Sequence, residues 1–234
     1  MILFQTEKKG SFIEVRSAGK TRRLYINGDL HSQLNLNRAF ENGVFAALSA
    51  PLFTLKQLAK PKIALLGLGG GTVVHHARRI LPKASIEVVE LDKTIISIAR
   101  RFFQIDRTGA KVTHQCARDW MIKNRRKFDA IIDDTFAIDR ALPAKGDLLS
   151  AKNLDKLLGM VRPSGVLVLN TLLPDTRLKR LLKHKTAINS VIKLMESGCE
   201  NRIYVIGKQQ ISREMLSDHI SAMKAKNVKV KQVI

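Results

Sequence analysis

With 234 residues, the chain is long enough for one large hydrophobic core, or for one core with a small addition. Its hydrophobic fraction of 45% and charged fraction of 26% are ordinary for a folded globular protein, and it has no apolar run long enough to cross a membrane as a helix. The formal net charge of +21 is unusual and raises the prospect of an anionic partner, nucleic acid or anionic lipid.

The basic residues are spread along the chain, with clusters at Lys20–Arg23, Lys123–Lys127, Arg177–Lys185 and Lys224–Lys231. Only 5% of the residues are aromatic and none interleaves with these clusters, so stacking of bases on aromatic platforms is poorly supported. Nucleic-acid binding is a secondary expectation and a membrane partner is not expected. The first residues, Met1 to Lys9, lack the basic stretch and apolar core of a secretory leader. Cys116 and Cys199 have neither metal-ligand nor disulfide spacing; they read as small buried residues in a reducing cytoplasm.

In chain order, Phe12–Arg16 alternates apolar and polar residues as a half-exposed strand does. Arg23–Asp29 reads as a second strand ending at the turn-forming Asn27-Gly28. Phe40–Leu48 has helical spacing and Pro51 closes it. Residues 1–55 are therefore expected to form a small β-hairpin appendage and a connecting helix, and residues 56–234 the main domain. There, Ile63–Leu66 is an apolar run suited to a strand buried on both faces. A helix over Val73–Leu81, a strand over Ile86–Glu90 and a helix over Lys93–Phe103 follow. Strands are expected from Val112, over Asp129–Asp133 and over Val166–Asn170, with a helix over Leu154–Val161. The tail reads as a helix around Leu178–Leu194, a strand at Arg202–Ile206, a helix at Ser212–Ala225 and a strand at Val228–Val233. This βαβα alternation specifies an α/β fold with a doubly wound, mostly parallel, Rossmann-like sheet.

The main chemical signal is Gly67-Leu68-Gly69-Gly70-Gly71, placed between a strand and a helix. Glycines there let the chain turn sharply and a ligand approach the backbone. Glu90 ends the next strand, where an acid can accept hydrogen bonds from both hydroxyls of a ribose. A dinucleotide fingerprint started at Gly67 would need glycine at Thr72, so it fits poorly. Asp119 follows the third strand and can accept from an adenine amino group, with the apolar area of Trp120 beside it; a helix N-cap is the other role for Asp119. Asp133 and Asp134 end the fourth strand over the switch point, where one carboxylate can deprotonate or hold an amine. His75 and His76 read as helix-surface residues, and no metal site is expected.

These residues, with Val89-Glu90-Leu91-Asp92, Ala117-Arg118-Asp119, Phe128–Thr135 and Gly165-Val166-Leu167, resemble the spermidine synthase (polyamine aminopropyltransferase) family. That family belongs to the class I S-adenosylmethionine-dependent methyltransferase superfamily. The Leu24–Gly28 hairpin and the helix ending near Pro51 also look like its small β-domain. The resemblance implies Glu90 on the ribose with Leu91 beside it, Asp119 at the adenine, and Asp134 at the catalytic aspartate position. It implies S-adenosylmethionine or its decarboxylated form as co-substrate, no metal, and suggests a homodimer. The family's D-[ST]-x-D-P signature reads Asp134-Thr135-Phe136-Ala137-Ile138, so Thr135 and Phe136 fall at substrate positions while the second acid is Ala137. The family's tyrosine in the entry helix corresponds to Phe40, and its glutamine after the hairpin to His31 or Gln33. Three functions follow: an aminopropyltransferase, a methyltransferase acting on an anionic or other acceptor, and a non-catalytic nucleic-acid-binding module.

Overall fold

The computed structural model describes residues 1–8, 10–135, 150–183, 185 and 187–233. Phe136, Ala137, Ile138 and the rest of 136–149 lie outside the described residues. Strands β1 (Ile2–Lys8), β2 (Ser11–Ala18), β3 (Thr21–Ile26) and β4 (Asp29–Asn35) form an antiparallel sheet in that order. The expected hairpin is its central pair, with Val15 opposite Leu24. β1 and β4 extend it to four strands, so it is more than a hairpin.

A helix α1 (Val44–Ser49) then runs into a 3-10 segment, Ala50–Leu55. The helix starts later than the spacing from Phe40 predicts, because Gly43 enters it at φ +68° and the carboxylate of Glu196 occupies the space beside Gly43. Pro51 does not end the segment; it sits in the first turn of the 3-10 stretch, where a missing N–H costs nothing.

The main sheet alternates strand and helix: β5 (Lys62–Leu66), α2 (Thr72–Ile80), β6 (Ser85–Glu90), α3 (Lys93–Phe103), β7 (Lys111–His114), α4 (Ala117–Lys123), β8 (Phe128–Asp133), α5 (Ala151–Met160) and β9 (Val161–Thr171). It continues with α6 (Asp175–Leu182), β10 (Ser190–Glu196), β11 (Arg202–Gly207), α7 (Arg213–Ala222) and β12 (Val228–Gln232). The order across the sheet is β12-β10-β11-β9-β8-β5-β6-β7. The strands from β9 to β7 are parallel, whereas β11, β10 and β12 join by antiparallel pairing. The chain leaves β5 toward β6 and β7, then returns to its other side as β8. That reversal makes the carboxyl ends of β5 and β8 the switch point, the place where ligands bind in open sheets of this kind.

One sequence expectation fails outright. The helix predicted around 178–194 ends at Leu182, and 190–196 is strand β10. Val191 and Ile192 are β-branched and pair with Ile206 and Val205 of β11, so a position buried on both faces of the sheet outweighs the helical spacing.

Alternate residues of each strand feed opposite cores. Ile63, Leu65, Ala130 and Ile132 pack with α1, α2 and α7, while Ala64, Leu66, Ile131 and Leu169 pack with α4, α5 and α6. A third cluster joins Ile13, Val15, Leu24, Ile26 and Leu34 of the small sheet to Ile95, Ile98 and Phe103 of α3. Burying each such side chain stabilises by roughly 1.5–3 kcal/mol, so the small sheet is docked on α3 rather than hung from the chain. None of the described helices is long and apolar enough to cross a membrane.

Candidate functional site

The loop after β5 is shaped by its glycines. Gly67 has φ +89°, and a β-carbon there would overlap the backbone oxygen of Asp134. A β-carbon on Gly70 would stand 2.7 Å from the Phe103 ring and 2.9 Å from Cβ of Ser32. The loop is thus threaded between β8's end, the small sheet and α3, and side chains there would force them apart.

The loop amides point inward. Gly67 N–H donates to Val89 O (2.9 Å), Leu68 N–H to Glu90 Oε2 (2.9 Å), Gly70 N–H to Ser32 Oγ (2.7 Å), and Gly71 N–H to Leu68 O (2.8 Å). These bonds fix the shape of the loop. Ser32 is a residue the sequence reading missed. It is buried on β4 among alternating residues, and nothing local marks it as a partner of a loop in another domain.

Glu90 is 9% exposed at the end of β6. Its Oε2 takes the Leu68 N–H and its Oε1 the Asp92 N–H at 2.8 Å, which fixes the carboxylate beside the loop. Each carboxylate oxygen keeps further acceptor capacity, the requirement for gripping a diol. Burial pushes the Glu90 carboxyl above its usual range, against the lowering effect of those backbone donors. Leu91, next in sequence, is 51% exposed. Asp92 serves the fold: it caps α3 by accepting from Thr94 N–H and pairs with Lys8 at 2.7 Å. Burial raises its carboxyl, but Lys8 and Thr94 outweigh burial and hold it low.

At β8's end the two acids differ. Asp133 is 1% exposed; its Oδ1 accepts from Thr135 Oγ1 (2.7 Å) and Thr135 N–H (3.2 Å), and its Oδ2 has no hydrogen-bond partner among the described residues. Asp134 N–H donates to Leu66 O at 2.8 Å, holding it against β5, and its Oδ1 accepts from Asn170 Nδ2 at 2.7 Å. The ends of β5, β6 and β8 therefore carry Gly67, Glu90 and Asp134 to one edge of the sheet.

The other expected residues are placed less directly. Asp119 is exposed in the first turn of α4, and the residue at the N-cap is Cys116, so the capping role falls away. Trp120 is buried, its ring tilted against Phe128 at 5.7 Å, and its area belongs to the core. Gln33 bridges two charged groups: its Oε1 accepts from Arg23 Nε (2.7 Å) and its Nε2 donates to Glu41 Oε2 (2.8 Å). Phe40 is partly buried and packs edge-on against His76 at 5.3 Å, at the margin of the core. His76 is not on the helix surface as expected. It is 1% exposed, accepts from Glu41 N–H (2.8 Å) and lies 3.0 Å from Ser49 Oγ, and burial drives its pKa down to about 3. Its partner His75 is half-buried against the Phe103 carbonyl. Both cysteines are partly exposed rather than buried.

A family model described as the spermine/spermidine synthase domain matches residues 49–230. A polyamine aminopropyltransferase of Streptomyces coelicolor is 30% identical over 152 residues, 61% of this chain and 27% of that protein. An eEF1A lysine and N-terminal methyltransferase of Danio rerio is 32% identical over 130 residues, 50% of this chain and 18% of that protein. The chain thus spans less than a third of either relative. A crystal structure described as a probable spermidine synthase from Corynebacterium glutamicum superposes with TM-score 0.78 at 18% identity, covering 98% of this chain and 90% of that one. That match includes the small antiparallel sheet as well as the main sheet.

Proposed function

Because the chain belongs to the spermine/spermidine synthase domain family, we propose that it is a transferase that binds S-adenosylmethionine or its decarboxylated form and moves an aminopropyl group to an amine. One observation carries this reading: Glu90, held by the N–H groups of Leu68 and Asp92, stands beside the glycine loop at the end of the next strand. Such a carboxylate suits the hydroxyls of a nucleoside. When bound, the co-substrate supplies a sulfonium; the amine nitrogen bonds to its neighbouring carbon as the C–S bond breaks, its electron pair passing to sulfur.

The chain's own work is then binding, orientation and one proton. Glu90 accepts from the ribose, and Asp119 and Leu91 border the base. Asp134 stands across Gly67 from the nucleoside and takes the proton that the attacking nitrogen gives up. Most of the rate comes from alignment of nitrogen, carbon and sulfur, because no strong acid or base is needed to expel a neutral thioether. Thr135 and Asp133 stiffen the segment that carries Asp134. A homodimer is part of this proposal by family resemblance.

Methyl transfer on the same scaffold is the second reading. Ala137 stands where the family's second acid would hold the amine, and the Danio rerio relative bears a methyltransferase name. A chain with a net charge of +21 also suits an anionic acceptor better than a polycation.

Calorimetric titration with S-adenosylmethionine, its decarboxylated form and methylthioadenosine, side by side, tests both. Tighter binding of the decarboxylated form supports aminopropyl transfer, and tighter binding of the intact form supports methyl transfer. Binding of none removes the nucleoside reading. The Asp134→Asn variant should bind as before and lose turnover; full activity would remove Asp134 from the mechanism.

A further inference from the structure

A line of side-chain amides runs from a partly exposed turn into the proposed active site. Asn170, next to last in β9, is 2% exposed and follows Val166 and Val168 on one face of the sheet. Its Nδ2 donates to Asp134 Oδ1 at 2.7 Å. Its Oδ1 accepts from Asn201 Nδ2 at 2.8 Å, and Asn201 Oδ1 accepts from Cys199 Sγ at 3.1 Å. Asn201 immediately precedes β11, where Ile203 pairs with Asn170, so the sheet itself brings the two amides together.

A carboxamide has one donor end and one acceptor end. Each bond in this line therefore sets the direction of the next. The Asp134 carboxylate can only accept, and at the other end the Cys199 thiol donates to Asn201 Oδ1. That turns the Asn201 N–H2 group to Asn170, which in turn presents its own N–H2 group to Asp134. Reversing the Asn170 amide would set its carbonyl oxygen against the Asp134 carboxylate and its N–H2 group against the N–H2 group of Asn201, leaving both ends unpaired.

We propose that Asn201 is a positioning residue, which acts through Asn170 to keep an N–H donor on the Asp134 carboxylate. This rests on the reading of Asp134 as the proton acceptor. A donor held on one oxygen favours the charged carboxylate and fixes its plane, both of which a base at the end of β8 requires.

The test reads Asp134 directly and needs no turnover. The protein is made with carbonyl-labelled aspartate, the Asp134 resonance is assigned by its loss in Asp134→Asn, and its midpoint is followed by NMR titration. Asn170→Ala should raise the midpoint by about one unit. Asn201→Ala should raise it by about half as much, and should add nothing in the Asn170→Ala background. An unchanged midpoint in Asn201→Ala overturns the proposal. So does a shift that persists in full in the double variant, since Asn201 would then act on Asp134 by another route. Should Asn201→Ala fail to fold, Asn201→Ser gives the same comparison. Methylthioadenosine calorimetry on the same samples keeps the two claims apart: no binding with the shift present would remove the proposed function and leave the relay standing.

Discussion

The backbone oxygen of Asp134 occupies the place that a β-carbon on Gly67 would need. The two residues end neighbouring parallel strands, and Asp134 N–H is bonded to Leu66 O at 2.8 Å, so the contact is set by the sheet. The loop proposed to bind the nucleoside and the proposed catalytic acid are therefore one mechanical unit. Gly67→Ala must move one or the other, and at φ +89° the added side chain is strained as well. Overpacking of this kind costs about 1–3 kcal/mol. We expect a lower urea midpoint and at least a tenfold loss of methylthioadenosine affinity; unaltered affinity would place the ligand elsewhere.

Glu90 should make binding pH-dependent. Its folded pKa is raised above 4.5 by burial, and only the ionised form accepts from both ribose hydroxyls. Affinity for methylthioadenosine should hold at neutral pH and decline as pH falls through that raised pKa. Glu90→Ala should abolish binding with the fold retained, as circular dichroism and calorimetry would report. A pH-independent affinity in the unaltered protein would show that Glu90 does not meet the ribose.

Ser32 ties the small sheet to the glycine loop through the Gly70 N–H at 2.7 Å, and both partners are buried. Ser32→Ala leaves that N–H without an acceptor, at a cost of about 1–3 kcal/mol. The expected readout is faster hydrogen exchange at Gly70 together with a lower melting temperature. Protection at Gly70 equal to that of the unaltered protein would contradict the bond.

His76 should dominate an acid limb of stability. It is neutral when folded, with a pKa of about 3, and ordinary at 6.5 when unfolded. The unfolded chain therefore binds the extra proton between those values, and stability falls as pH drops from about 6.5 toward about 3, by up to about 1.4 kcal/mol per unit. His76→Phe orphans the Glu41 N–H, a loss of about 1–3 kcal/mol at neutral pH, yet should be less sensitive to acid from pH 7 to pH 5. Denaturant unfolding at the two pH values measures the difference, and parallel losses in both proteins would exclude His76 as its source.

The Lys193–Asp175 pair should respond unequally to its two deletions. Lys193 is 8% exposed and bonds Asp175 Oδ2 at 2.6 Å, while Tyr204 donates to Asp175 Oδ1 at 2.5 Å. Asp175→Ala strands a buried ammonium and should cost about 3 kcal/mol. Lys193→Met leaves the more exposed Asp175 to water and Tyr204, and should cost about 1 kcal/mol or less. Equal losses in thermal unfolding would mean the pair is not buried as described.

Much of this molecule is written locally. Ile63–Leu66, the glycines after it and Glu90 at the end of the next strand announce a doubly wound sheet and its ligand crevice, because strand burial, tight turns and strand ends are short-range properties. Asp133 and Asp134 are legible for the same reason. Where the prediction failed, the deciding interaction was distant: 190–196 became a strand because β11 and β12 pair with it, and His76 went inward because the Glu41 N–H and Ser49 meet it there. The sequence by itself determined the strand–helix alternation from β5 to β9, the switch point between β5 and β8 and the acids at those strand ends. Only the tertiary structure decided that Ser32 closes the glycine loop and that Asn201 reaches Asp134 through Asn170, since hydrogen bonds between residues far apart in the chain leave no periodic trace in it.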